Sequence, residues 1–258
     1  MEFDADLNAC AALVEKADPD RFRAAMSAPV AARAVLFPLY ALNVEVTRAP
    51  WVTQEPMIAE MRLQWWRDAL QEIADGGPVR RHEVVTPLAG VLSPHLAANL
   101  DEYVAVRRWD IYKDPFEDQE HFDNYITCSS GHLMVAAAQA LGPAEGKVVQ
   151  DYAYATGISG WLQAIPALEA RGRIPLLDGT PDGVRTLAQQ ALKCLYRARR
   201  NRAAVSGPAR AALLAGVQAE AVLKQVVANP GRVAAGALVP GEISRRLRLS
   251  WVAVSGRW

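Results

Sequence analysis

The sequence predicts an all-α protein, a single helical bundle spanning residues 1–258. Three observations predict it. Ala- and Leu-rich segments carry apolar residues three or four apart, the period of a helix with one face in a core. Breakers separate them at Gly76-Gly77-Pro78, Pro94, Pro115, Gly142-Pro143, Pro175, residues 179–181, Gly207-Pro208, Asn229-Pro230-Gly231 and Pro240-Gly241. Alternating runs that would read as strands are nearly absent. The punctuation leaves room for about eight or nine helices joined by short loops.

In chain order, residues 57–73 place Ile58, Met61, Trp65, Ala69 and Ile73 near one helical face. Trp65 and Trp66 are neighbours, so they point about 100° apart and at least one enters the core. The stretch 107–123 holds Asp110, Asp114, Glu117, Asp118, Glu120 and Asp123, which do not repeat at helical spacing. It reads as a solvated loop and helix start. Residues 123–141 align Tyr125, Ser129, His132, Ala136 and Ala140 on one helix, with Cys128 as a buried small side chain and His132 as a buried, hydrogen-bonded one. Residues 184–198 repeat the pattern and end in Arg197, Arg199, Arg200 and Arg202, cations that suit the negative end of a helix dipole. Gly207 stops that run and Pro208 opens the next helix.

Composition narrows the function classes. Hydrophobic residues make up 51% and charged residues 22% of 258, enough for a full core. Lys plus Arg equals Asp plus Glu at 28 each, so no global field draws in nucleic acid. Cys10, Cys128 and Cys194 are scattered without metal-ligand spacing and fit reduced thiols. The acidic start, Met1-Glu2-Phe3-Asp4-Ala5-Asp6, lacks the apolar core of a secretory signal. The sequence reads as having no apolar run of the roughly 18 residues a membrane span requires. The expectation is a soluble cytoplasmic protein.

Function enters through four segments. Phe37-Pro38-Leu39-Tyr40-Ala41-Leu42-Asn43-Val44-Glu45 precedes Met61-Arg62-Leu63-Gln64-Trp65-Trp66-Arg67. Asp123-Asn124-Tyr125 leads into the small residues Ser129-Ser130-Gly131 before His132, and Gln163 precedes Gly172-Arg173. In order and spacing these resemble the squalene/phytoene synthase family over residues 8–200. The resemblance implies the isoprenoid synthase fold and a cavity lined by Tyr40, Glu45, Arg62, Trp66, Tyr125, Ser129, His132 and Gln163.

Active members of that family ionise an allylic diphosphate, whose leaving charge is clamped by Mg²⁺ held on two aspartate-rich helical motifs. Neither motif stands in this sequence. The first is expected after Tyr40-Ala41-Leu42, where Glu45 is the only acid and the aspartate positions fall near Thr47 and Trp51, with Arg48 and Pro50 between. The second is expected in residues 155–171, which hold no Asp, one acid in Glu169, and a helix-disturbing Pro166. No residue is therefore assigned a catalytic, cofactor or metal role. Mg²⁺ belongs only to the alternative reading, a head-to-head prenyl transferase with atypical ligands such as Glu45 and Glu169.

A branch of the family sharing this loss serves the assembly of respiratory complex I. Asn43-Val44-Glu45, the Met61-Arg62 helix and Ser250-Trp251 resemble that branch. The resemblance implies a non-catalytic assembly or binding factor with respiratory-complex subunits as partners. A prenyl-lipid or quinone carrier is a further alternative. Arg245, Arg246, Arg248 and Arg257, interleaved with Leu247, Leu249, Trp251 and Trp258, make a basic aromatic tail. Peripheral contact with the inner face of a membrane explains that tail, and so does a terminal helix docked on the bundle.

Overall fold

The computed structural model describes residues 4–238 and 240–258; the expectation about the extreme N-terminus falls partly on residues 1–3, outside them. Helices follow one another throughout. They are α1 (Ala5–Ala17), α2 (Pro19–Ser27), α3 (Val30–Arg48), α4 (Pro56–Ala74), α5 (Val85–Ala89), α6 (Pro94–Ala105), α7 (Gln119–Ile126), α8 (Leu133–Leu141), α9 (Gly146–Glu169), α10 (Pro181–Arg200), α11 (Arg210–Leu213), α12 (Ala219–Ala228), α13 (Gly231–Ala234) and α14 (Glu242–Ser255). A π-helical segment, Thr127–His132, joins α7 to α8. Among the described residues no strand forms, only one antiparallel bridge between Ala144 and Val205.

The helix starts are written in the sequence. Asp4, Asp18, Ser93, Asp118 and Thr180 each accept a hydrogen bond from the backbone N–H three residues on. Proline occupies the first turn of α2, α4, α6 and α10, where the missing N–H costs nothing. Asp18-Pro19 thus splits the N-terminal region into two helices, one reason the expected eight or nine become fourteen α segments among the described residues, three of them only four or five residues long.

The longest helix, α9, runs through the middle. Val149, Tyr152, Ala153, Ala155, Ile158 and Leu162 on it are fully buried. An element apolar on most sides requires neighbours on most sides; α8, α10, α12, α13 and the π segment supply them. Around this centre, α1 packs on α3 and α4 packs on α6.

Several expectations need correction. The buried face of α4 is Ala59, Leu63, Trp66, Ala69, Leu70 and Ile73, so Ala69 and Ile73 lie inward as expected while Ile58 and Met61 lie exposed. Apolar residues occupy both stripes of this helix, and periodicity alone cannot choose between them. Trp66 enters the core; Trp65 meets it edge-on at 4.8 Å and lies under the Arg80 guanidinium. Two segments, 30–51 and 210–228, are long and apolar enough to cross a membrane by length and composition, contrary to the reading above. More than half of each is buried inside the bundle, as core helices require. The arginines ending α10 do more than complement its dipole: Arg197 pairs with Asp151 of α9 at 2.5 Å and Arg199 with Glu220 of α12 at 2.6 Å.

Candidate functional site: an arginine-lined cavity

Between α2, the end of α3, the π segment, α9 and α14 lies a cavity of about 700 Å³, within the usual range of small-molecule sites. Two backbone features shape its walls. A Cβ on Gly157 would stand 2.8 Å from Ser130 Cβ and Oγ and 3.0 Å from Ile126 Cγ2, so α9 meets the π segment closely only because residue 157 is glycine. One turn on, a Cβ at Gly160 would meet nothing within 4 Å, because that position faces the open cavity. Of the two glycines, Gly157 alone serves a close helix approach.

The apolar part of the lining comes from Ile126, Trp161, Ala164, Leu168, Leu214 and Leu249. Its floor is aromatic: Trp161 and Tyr125 lie 5.2 Å apart, and both touch Trp109 and Phe116. Trp161 is fixed by donating its indole N–H to the Pro175 carbonyl at 2.9 Å.

The charged part is unbalanced. Arg21, Arg23, Arg107, Arg171, Arg245 and Arg246 line the cavity, against Asp18, Asp20 and Asp110. Each of these carboxylates is already engaged. Asp18 caps α2 and pairs with Arg21 at 2.5 Å. Burial alone would raise the pKa of Asp18, but the Arg21 charge and hydrogen bonds hold it below the ordinary carboxylate value. Asp20 pairs with Arg23 at 2.5 Å and with Arg245 of α14. Asp110 is buried, accepts from Tyr125 Oη at 2.9 Å, and lies 3.4 Å from Arg107 Nη1. Arg107 also donates to Tyr125 Oη at 3.1 Å. Burial opposes its charge, yet Tyr125, Tyr103 and Asp110 together hold its pKa above the usual value. Tyr125 is pushed up by burial first and by the Asp110 carboxylate second, so it stays a neutral phenol. Among the described residues, Arg107 Nε has no hydrogen-bond partner.

Of the eight residues expected at the cavity, Tyr125, Ser129 and Gln163 line it. The other five lie elsewhere. Tyr40 is buried behind Arg21, whose guanidinium sits 5.8 Å from its ring. Trp66 is in the core beside Trp65 and His82. Arg62 is exposed on α4. Glu45 pairs with Arg48 at 3.4 Å. His132 turns the other way, its Nδ1 3.0 Å from the Asn99 carbonyl of α6. Elsewhere on α4, Arg67 bridges to Asp101 at 2.7 Å, and Glu60 is held by Arg108.

Residues that the sequence reading passed over complete the site. Arg107 and Asp110 belong to the stretch read as solvated, yet Asp110 is buried and Arg107 largely so in the cavity wall. The available signal was their spacing of three, one turn after the buried Tyr103, which donates to Asn43 Oδ1 at 3.0 Å. Arg173 is buried and donates to the Trp109, Asp110 and Tyr112 carbonyls, fastening that same segment. Its turn depends on Gly172, at φ +75°. At the positions expected for aspartates, Thr47 spends its hydroxyl on the Asn43 carbonyl at 2.6 Å, and the Trp51 ring lies 4.5 Å from the Arg171 guanidinium.

The family model for squalene/phytoene synthase matches residues 14–176, more than half of the chain and most of the helices that build this cavity. The chain belongs to the squalene/phytoene synthase family. Solved structures agree on the fold. A dehydrosqualene synthase in complex with ligand superposes with a TM-score of 0.73 at 16% identity, covering 97% of this chain and 96% of that one. The squalene synthase HpnC from Alicyclobacillus acidocaldarius gives 0.70 at 17% identity, covering 86% and 92%. Among curated proteins, the NADH dehydrogenase (ubiquinone) complex I assembly factor 6 homolog of Drosophila melanogaster is 26% identical over 177 residues, 65% of this chain. The match spans about half, 53%, of that relative's length. Membership in the family therefore brings both synthases and an assembly factor into view.

Proposed function

We propose that this chain is a non-catalytic member of its family, a binding or assembly factor whose cavity takes an anionic prenyl lipid. One observation carries the reading: all three carboxylates lining the cavity are engaged by arginines, and even with Glu242, which pairs with Arg23, Arg245 and Arg246 from outside the lining, six guanidinium groups face four carboxylates. A Mg²⁺ pair requires several free oxygen ligands, and this donor set does not fit it. Glu45 lies outside the cavity lining, as does Glu169. An apolar wall with an arginine-rich end suits a prenyl chain ending in phosphate, which guanidinium recognises in bidentate fashion.

The test is incubation with farnesyl or geranylgeranyl diphosphate and Mg²⁺, beside an active family enzyme. The expected result is no pyrophosphate release but retention of the labelled lipid. Turnover that depends on Glu45 or Glu169 would restore the transferase alternative. The Drosophila relative supports a role with a respiratory complex; deleting the gene should then lower the amount of assembled complex I.

The second element of the proposal is peripheral membrane contact through α14. Its inner side gives Arg245, Arg246 and Leu249 to the cavity, while Ile243, Leu247, Trp251 and Val254 form an exposed outer stripe. Arg246 and Arg257 flank that stripe and favour an anionic bilayer surface over an uncharged partner. Lipid leaving such a surface would enter past α14.

A further inference from the structure

Away from the cavity, on the opposite side of the π segment, three side chains of ligating chemistry converge: Glu102 of α6, and Cys128 and His132 of the π segment. One ligand atom from each lies within 4.8 Å of the others. We propose that Glu102, Cys128 and His132 form a site for a divalent ion of the Zn²⁺ class, which staples the π segment to α6.

Three features support this. First, tetrahedral Zn²⁺ with bonds of about 2.0–2.3 Å places its ligand atoms roughly 3.3–3.6 Å apart. The cluster needs to close by about an ångström, and Glu102, with its side chain 71% exposed, has the freedom to do so. Second, the imidazole is already oriented. His132 Nδ1 faces the Asn99 carbonyl at 3.0 Å. A carbonyl only accepts, so Nδ1 carries the proton and Nε2 keeps its lone pair; Glu102 Oε2 lies 3.8 Å from Nδ1, so the exposed Glu102 side chain must swing along the ring edge to share an ion with Nε2. Third, Cys128 and His132 lie within a local π-helical widening, six residues long, between two regular helices. Such bulges interrupt α-helices mostly where a site needs a particular side-chain placement.

The donor set is one thiolate, one imidazole and one carboxylate, with the fourth position open towards solvent beside Glu102. That combination suits Zn²⁺ and its spectroscopic stand-in Co²⁺ rather than Mg²⁺ or Ca²⁺. The ion would act on the cavity indirectly, because Ser129 and Ser130, between the two ligands, belong to the cavity wall.

The experiment is a titration of the purified full chain, first stripped with a chelator, with Co²⁺ and then with Zn²⁺ as competitor. The expected result is one Co²⁺ per chain, with a thiolate-to-metal charge-transfer band and tetrahedral ligand-field bands, both erased by Zn²⁺. Cys128→Ser should remove the charge-transfer band, and Cys10→Ser should leave it intact. Glu102→Gln is the variant that tests the site without burial at stake, and it should weaken binding at least tenfold, as should His132→Gln. A charge-transfer band that survives Cys128→Ser, or an affinity unchanged in both Glu102→Gln and His132→Gln, would overturn the proposal. So would the absence of any stoichiometric binding.

Discussion

Gly157 and Gly160 stand one turn apart on α9, and the structure assigns them opposite tolerances. A methyl group at 157 would lie 2.8 Å from Ser130 Cβ and Oγ and 3.0 Å from Ile126 Cγ2. Ordinary contact begins near 3.5 Å, so the overlap is about half an ångström or more on all three atoms, which overpacking data place at roughly 1–3 kcal/mol. Alanine's better helix propensity returns about 0.8–1 kcal/mol. The net loss for Gly157→Ala is up to about 2 kcal/mol, a drop in Tm of up to roughly 8 °C for a chain of this size. At Gly160 the new methyl meets nothing within 4 Å. Gly160→Ala should therefore hold or raise Tm, and Gly160→Leu should keep the fold while filling the cavity. Thermal unfolding by circular dichroism measures the first effect, and retention of a labelled prenyl lipid measures the second. Equal destabilisation by both alanine variants would refute the wall geometry. Undiminished lipid binding by a folded Gly160→Leu would refute the cavity as the lipid site.

Removing one carboxylate, Asp151→Asn, breaks a bidentate contact with Arg197 at 2.5 and 2.6 Å. Because Arg197 is 48% exposed and can rehydrate, the cost should be about 1–2 kcal/mol in denaturant unfolding, not the 3–5 kcal/mol of a stranded buried charge. Glu220 is held down to about 2: burial raises its pKa, but hydrogen bonds and charge from Lys224 and Arg199 outweigh it. A depressed folded-state value means its stabilisation is present above about pH 4.5 and lost as pH falls towards 2, so Glu220→Gln should flatten the acid limb of the stability profile in that window. Leu247→Ser with Trp251→Ser should leave Tm within about 1 °C, since both side chains are exposed, while reducing co-sedimentation with anionic vesicles severalfold. Full retention on vesicles would remove α14 as the contact face.

The helix starts were readable because their causes are local. Asp18-Pro19, Ser93-Pro94 and Thr180-Pro181 carry both the cap and the first-turn proline in two adjacent residues. The family was readable for a related reason: the segment from Phe37 to Glu45 and the Trp65-Trp66 helix keep their order and spacing along the chain. The cavity was less legible. Tyr125, Ser129 and Gln163, expected from the family resemblance, lie at the cavity wall. Tyr40, Trp66 and His132, expected on the same ground, turn to the core or to α6, a choice made by packing partners far away in sequence.

Arg107 and Asp110 show the same limit from the other side. In sequence they belong to an acidic, loop-like stretch, and their spacing of three is shared by Asp114 and Glu117, so only the preceding Tyr103 sets them apart. Burial of the pair depends on Arg173, more than sixty residues later, donating to three carbonyls of their segment.

The chain by itself determined an all-α architecture, the positions where helices begin, and the family to which they belong, since these follow from residue types within a turn or two of one another. The absence of aspartates near Thr47 and in residues 155–171 was equally a property of sequence. The tertiary structure alone decided which charges meet. It brings arginines from α2, α14 and the ends of α6 and α9 to one cavity and spends every carboxylate there on them. The sign of that site is set by side chains converging from distant segments, which no local pattern along the chain encodes.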